Sequence, residues 1–333
     1  DKNMKKIINN PDDFVEESIK GLVNSYPEIY KFSSETNKVL TRYTQASNKV
    51  GLVSGGGSGH LPLFTGYIGI GLLDSCAIGN VFASPSVDEI STAIKSANSG
   101  KGVLCIYGNY GGDVMNFDMA SEMLEMEDIK VESIVVADDV ASASNEEKGK
   151  RRGVTGMLYV FKTTGAIAET GADFDDVKRI ALKTNENIRT MGIALTPTIL
   201  PQAAKPTFEI GDDEMEIGMG IHGEPGIRRG KLKSADEITE ELSEKLLSDI
   251  SLSKGDRVSI LVNSLGATPH EELFIVANKF NNILNDNGII NSKSYVGRYA
   301  TSMEMAGMSI SILKLDDELE KLLLEKANCP FWY

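Results

Sequence analysis

Short apolar runs ending in glycine alternate along this chain with capped, amphipathic helices, a pattern that few folds absorb. Residues 50–53 form a short buried strand running into Ser54-Gly55-Gly56-Gly57-Ser58-Gly59-His60. Residues 102–107 and 131–136 read as parallel core strands, with an amphipathic helix near 114–126 between them. Asp12 or Asp13 can cap a first helix, and Ser86 a second that carries Val87, Ile90, Ile94 and Ala97 in register. Two more helices are expected over 153–169 and 174–190. Three prolines between Thr196 and Pro206 mark a change of character. Beyond it lie alternating strands at 214–222, 257–263, 292–299 and 309–315. Ser234-Ala235-Asp236-Glu237 and Thr268-Pro269-His270-Glu271 both fit the S/T-x-x-E capping box. The whole reads as α/β. At 333 residues it suits two domains, 1–190 and 191–333.

Composition excludes several classes of function. Forty-eight acidic side chains against 34 Lys and Arg give a net charge of −14, wrong for gripping nucleic acid directly. The one basic cluster, Lys148, Lys150, Arg151 and Arg152, reads as a solvated face or helix cap. No apolar run approaches the roughly 20 residues of a membrane span, and residues 1–7 carry no signal-peptide core. Met4 is read as the native start and the cytoplasm as the compartment. Cys76, Cys105 and Cys329 lie far apart with no CxxC, so neither a zinc site nor a disulfide framework is indicated. No metal and no cofactor is expected.

Three places can carry chemistry. The glycine-rich 55–59 segment offers backbone N–H groups to ligand oxygens. It is not a nucleotide P-loop, because His60, Leu61 and Pro62 stand where lysine and a hydroxyl are required. Tyr107-Gly108-Asn109-Tyr110-Gly111-Gly112-Asp113 closes the 102–107 strand, and ligands sit beyond the carboxyl ends of parallel strands. Asp113 can pair with His60, cap the next helix, or both. The third place is Gly220-Ile221-His222-Gly223-Glu224-Pro225-Gly226. Alternation puts His222 opposite an apolar row, behind Gly218 and Gly220, with room for a small molecule; the plainer reading is a histidine in a turn. A neutral imidazole is a competent nucleophile toward a carbonyl carbon. His270 is expected to be exposed.

These motifs, with Gly66-Tyr67-Ile68-Gly69 and Leu265-Gly266-Ala267-Thr268-Pro269, make the chain resemble the DhaK family of dihydroxyacetone kinases. The likeness runs in order from Met4 to about Asp317. It implies a three-layer α/β/α first domain with a parallel sheet, a two-layer α/β second domain with a mixed sheet, and a homodimer. It further implies that His222 carries dihydroxyacetone as a covalent hemiaminal. Gly57, Ser58, Gly59, His60 and Asp113 would then hold the triose hydroxyls.

Two positions depart from the family pattern. Where kinase subunits carry a glutamate after the histidine this chain has Leu61, and where they carry a lysine before Asn-Tyr it has Gly108. Losing a cation where a phosphoryl group is delivered removes electrostatic stabilisation. The resemblance therefore leans toward the DhaQ branch, a dihydroxyacetone-binding co-activator acting through a TetR-type regulator. The alternative is the substrate-binding subunit of a kinase whose separate subunit binds the nucleotide.

Overall fold

The computed structural model describes residues 5–45 and 47–332; Met4 lies outside them. The first part of the chain forms α1 (Phe14–Ser25), β1 (Tyr30–Phe32), β2 (Val39–Arg42), β3 (Gly51–Ser58), β4 (Ser75–Val81), α2 (Val87–Ala97), β5 (Val103–Gly108), α3 (Gly111–Glu125), β6 (Val131–Val136), α4 (Met157–Glu169) and α5 (Phe174–Glu186). Its sheet runs β1-β2-β4-β3-β5-β6. The four strands β4, β3, β5 and β6 are parallel, while β1 and β2 join antiparallel at the edge. Side chains alternate across the central strands, and both faces are covered. Val53, Val103, Cys105 and Tyr107 pack under α2 and α3, whereas Leu52, Leu104 and Ile106 face α4 and α5.

The second part contributes β7 (Ile188–Ala194), β8 (Ile199–Leu200), β9 (Lys205–Pro206), β10 (Glu214–Ile217), β11 (Arg228–Lys231), α6 (Ala235–Asp249), β12 (Arg257–Ser264), α7 (His270–Asp286), β13 (Ile290–Gly297), β14 (Gly307–Leu315) and α8 (Asp317–Leu324). The sheet order is β11-β10-β7-β14-β12-β13, with β12 and β13 parallel and the other pairs antiparallel. Helices α6 and α7 cover one face. The other face meets the first part through α4, which is buried nearly all round because it lies between two sheets. The Tyr159 hydroxyl on α4 meets Ser259 Oγ on β12 at 2.9 Å.

Local chemistry sets several boundaries that periodicity misplaces. Helix α4 begins at Met157 and not near 153, because the Asp138 carboxylate accepts from the N–H groups of Val154 and Gly156, both at 2.7 Å. Ser86 and Glu89 form the complete capping box of α2, and Ser234 caps α6. Thr268 does not cap α7. Its hydroxyl instead accepts from the Gly307 N–H at 2.8 Å, and Pro269 occupies the cap position.

Candidate functional site

The carboxyl ends of β3 and β5 and the start of α3 lie together at one edge of the first sheet, the side where open α/β sheets hold ligands. Gly55, Gly56 and Gly57 are not in a loop: they belong to β3 itself. A methyl at Gly55 would stand 2.6 Å from the Ala77 carbonyl, one at Gly56 would enter the Phe64 ring, and one at Gly57 would meet the Ala83 N–H at 2.7 Å. Close backbone packing therefore explains these glycines. Gly59 has φ +101°, and its missing side chain leaves space for the Phe82 ring. Ser58 is turned to its neighbour strand, its hydroxyl donating to the Gly79 carbonyl at 2.8 Å.

His60 follows and is completely buried. Its Nδ1 lies 2.7 Å from the Thr301 carbonyl, and the Thr301 N–H returns a bond to the His60 carbonyl at 3.2 Å. The Met303 N–H adds a bond to the Gly59 carbonyl at 3.0 Å, so the segment between β13 and β14 clamps His60 from the second domain. Phe82 stacks on the imidazole at 4.9 Å with a 13° interplanar angle, while its own backbone sits in the left-handed region at φ +57°. Burial, and then the charge of His222, push His60 down to about 3.

The residues before His222 depart from the expected strand. Strand β10 ends at Ile217, Gly218 takes φ +79°, and 218–226 folds back on itself. Gly218 and Gly220 leave no open strip for a ligand. A side chain at Gly218 would strike Ala141, and one at Gly220 would strike the Glu224 carboxylate and the Arg152 guanidinium. The turn brings Glu224 under its own histidine. Glu224 Oε2 accepts from the His222 backbone N–H and Oε1 meets His222 Nδ1, both at 3.0 Å. Burial alone would raise the Glu224 carboxyl. The hydrogen bond from His222, its charge and that of Arg152 outweigh this and hold it at about 2.

His222 Nε2 then points at His60 Nε2, 3.1 Å away, with Tyr110 and Phe82 edge-on to the His222 ring at 4.8 and 5.3 Å. Donor counting constrains this contact. One Nδ1–H goes to the Thr301 carbonyl and the other to the Glu224 carboxylate, so two Nε2 lone pairs would face each other unless a further proton lies between them.

Asp113 is buried in the first turn of α3, with Oδ1 lacking a hydrogen-bond partner. Burial raises its pKa against the Ser84 hydroxyl and the charge of His222. The His60–Asp113 pair and the helix cap expected from sequence are both absent: His60 pairs with His222, and Tyr110 holds the cap position.

Sequence reasoning passed over the groups that hold this arrangement. Arg151 and Arg152 are no solvated face. Arg151 is buried and grips Asp249 with two 2.7 Å bonds. Arg152 lies 3.4 Å from Asp139 and 3.9 Å from Glu224. Glu224 has a usable signal, an acid two residues after the histidine in a Gly-Pro turn. Arg152, Phe82 and Thr301 have none, since each is brought in by another part of the chain. Gly108 ends β5, and a side chain there would press on the Tyr110 ring, the Gly153 carbonyl and the Met157 methyl at 3.1–3.2 Å. Leu61 walls a cleft with Phe14, Ile19, Phe64 and Arg298 that Gly57, Ser58 and Gly59 also line, and that neither His60 nor His222 lines. His270 is exposed at the start of α7. Among the described residues, no cluster of three or more His, Cys, Asp or Glu is placed to hold a metal ion, and no helix is long and apolar enough to cross a membrane.

Comparison with known proteins agrees with this architecture. The PTS-dependent dihydroxyacetone kinase 1, dihydroxyacetone-binding subunit DhaK, of Listeria innocua serovar 6a is 46% identical over 315 residues, 95% of each chain. The L-erythrulose 1-kinase of Mycolicibacterium smegmatis is 39% identical over 98% of this chain, which spans 58% of that protein. The solved structure titled dihydroxyacetone kinase operon co-activator Dha-DhaQ superposes with a TM-score of 0.88 at 33% identity, covering 94% of this chain and 96% of the other. The Dak1 domain family matches residues 20–331, and with these relatives it shows that the chain belongs to the DhaK family.

Proposed function

We propose that this chain binds a short ketose, dihydroxyacetone or a four-carbon homologue, as a hemiaminal on His222, and does so as the ketose-binding subunit of a kinase. The observation that carries the reading is the His222 ring, held through Nδ1 by Glu224, with Nε2 turned toward His60. Nε2 attacks the ketone carbon, a C–N bond forms, and the carbonyl π bond opens onto oxygen. The attacking Nε2 is the unprotonated nitrogen, and the new alkoxide oxygen takes up a proton from solvent. The product is an N-alkyl imidazolium whose Nδ1–H still faces the Glu224 carboxylate, which offsets the positive charge gained with the proton. Asp113, with an unpartnered oxygen, and His60, freed at Nε2, are then available to the ketose hydroxyls.

The relatives move the weight from the sensor, which the sequence departures favoured, to the kinase subunit. A relative 46% identical along nearly its whole length is named as one, and longer relatives are named erythrulose kinases. The co-activator reading keeps support in the likeness to the solved co-activator structure and in one position of the site. Gly108 leaves no lysine beside the site, and Tyr110 and Met157 crowd the place where its side chain would begin.

Intact-mass measurement with dihydroxyacetone tests the adduct, which His222→Ala must abolish. Phosphoryl transfer in the presence of the cognate nucleotide-binding subunit tests the kinase role. Adduct without turnover would turn the assignment to ligand sensing through a TetR-type regulator. No adduct on the unaltered chain would refute the covalent reading.

A further inference from the structure

Helix α3 is apolar on two sides. Phe117, Ala120 and Leu124 face the first core in the ordinary way. Met115, Met119, Met123 and Met126 are 59%, 49%, 47% and 86% exposed. At 3.6 residues per turn these four fall within about 80° of one another, as one solvent-facing stripe. Asp118, Glu122 and Glu125, all exposed, run along one edge of it, and α3 contains no Lys, Arg or His. Single exposed hydrophobic side chains need no explanation, but a contiguous apolar row edged with charge marks an interaction surface. Methionine is enriched at interface cores and repacks readily.

The same helix starts at the site. Gly111 and Gly112 open it, Asp113 is buried in its first turn, and Met115 is two residues further on. We propose that the methionine stripe of α3 is the docking surface for a partner protein whose apolar contact patch is rimmed by Lys and Arg. That partner would be seated with one end at the mouth of the ketose site. The acidic edge decides the chemistry, because only a basic rim compensates it. A second copy would bring up the same cation-free, acid-edged helix. For the partner's identity, this inference rests on the kinase-subunit reading: the occupant is the subunit that carries the phosphoryl donor.

The test uses the full chain and the purified cognate nucleotide-binding subunit. The triple variant M115Q/M119Q/M123Q keeps helix-forming residues of similar length. It should weaken the complex at least about 30-fold, the scale of truncated hot-spot contacts, while the ketose adduct on His222 survives. The wild-type complex should weaken with added salt, and Asp118→Lys with Glu122→Lys should weaken it and flatten that dependence. A photocrosslinker at position 119 of the otherwise unaltered chain should label the subunit, which covers the case in which the triple variant fails to fold. Unchanged affinity in the variant, absence of any complex with the wild type, or a change confined to self-association would each overturn the proposal. Loss of the adduct with docking intact would sink the ketose reading alone.

Discussion

Replacing His60 by asparagine isolates a pH effect that the unaltered protein conceals. Asparagine keeps a donor for the Thr301 carbonyl where His60 has Nδ1 but cannot take up a proton. His60 is held neutral, its pKa pushed by burial from 6.5 to about 3. The unfolded chain binds a proton below about 6.5 and the folded chain does not. The stability His60 supplies is therefore whole above 6.5 and lost as the pH falls toward 3. At 1.36 kcal/mol per pKa unit the full window is worth about 5 kcal/mol, of which about 2 kcal/mol disappears between pH 7 and 5.

Asp139 runs the other way. Burial, against the pull of Arg152, raises it to about 7, so its cost to the folded state is relieved on acidification by a similar amount, about 2 kcal/mol over the same interval. Glu224, held at about 2, loses its contribution only below about 4.5 and stays outside the window. Asp139, with Asp113 and Asp138, which burial also raises, contributes to both proteins alike and cancels in the difference between wild type and His60→Asn. Urea unfolding followed by the fluorescence of Trp332, the single tryptophan, packed 4.7 Å from Tyr295, reads the difference between the two proteins. That difference should shrink by about 2 kcal/mol across the interval. If it stays constant within about 0.5 kcal/mol, His60 is not held neutral by burial.

Glu224→Gln should lower occupancy of the ketose adduct roughly tenfold or more, since a carboxylate no longer faces the imidazolium product; mass spectrometry at fixed ketose concentration reads it. Arg152→Gln should shift the pH profile of adduct formation and also lower thermal stability near pH 7, where it leaves the buried Asp139 carboxylate without its cation, while a uniform loss of adduct at every pH would deny Arg152 its role through Glu224. Gly56→Ala must displace the Phe64 ring from beneath β3 and should cost about 1–3 kcal/mol, seen as a lower urea midpoint; an unaltered midpoint would show that the ring moves freely.

The order of strands and helices was legible in the residues because each element carries its own periodicity and caps. Val50 to Val53 alternates between two buried faces, Ser86 and Glu89 close a capping box, and 103–108 is apolar throughout. Belonging to the DhaK family was legible too, and short polar motifs among glycines singled out His60 and His222, which the structure brings within 3.1 Å of each other. What those residues do to one another was not. Glycine has no side chain and so records only that space was needed, never what fills it: Gly56 makes way for Phe64, and Gly220 for Glu224 and Arg152. Periodicity is blind to a residue in left-handed conformation, so Gly218 broke a strand that the alternation carried on to His222. The pairing of His60 with His222 depends on residues 162 positions apart. Only the packing of the second sheet across α4 brings those two imidazoles within hydrogen-bond reach.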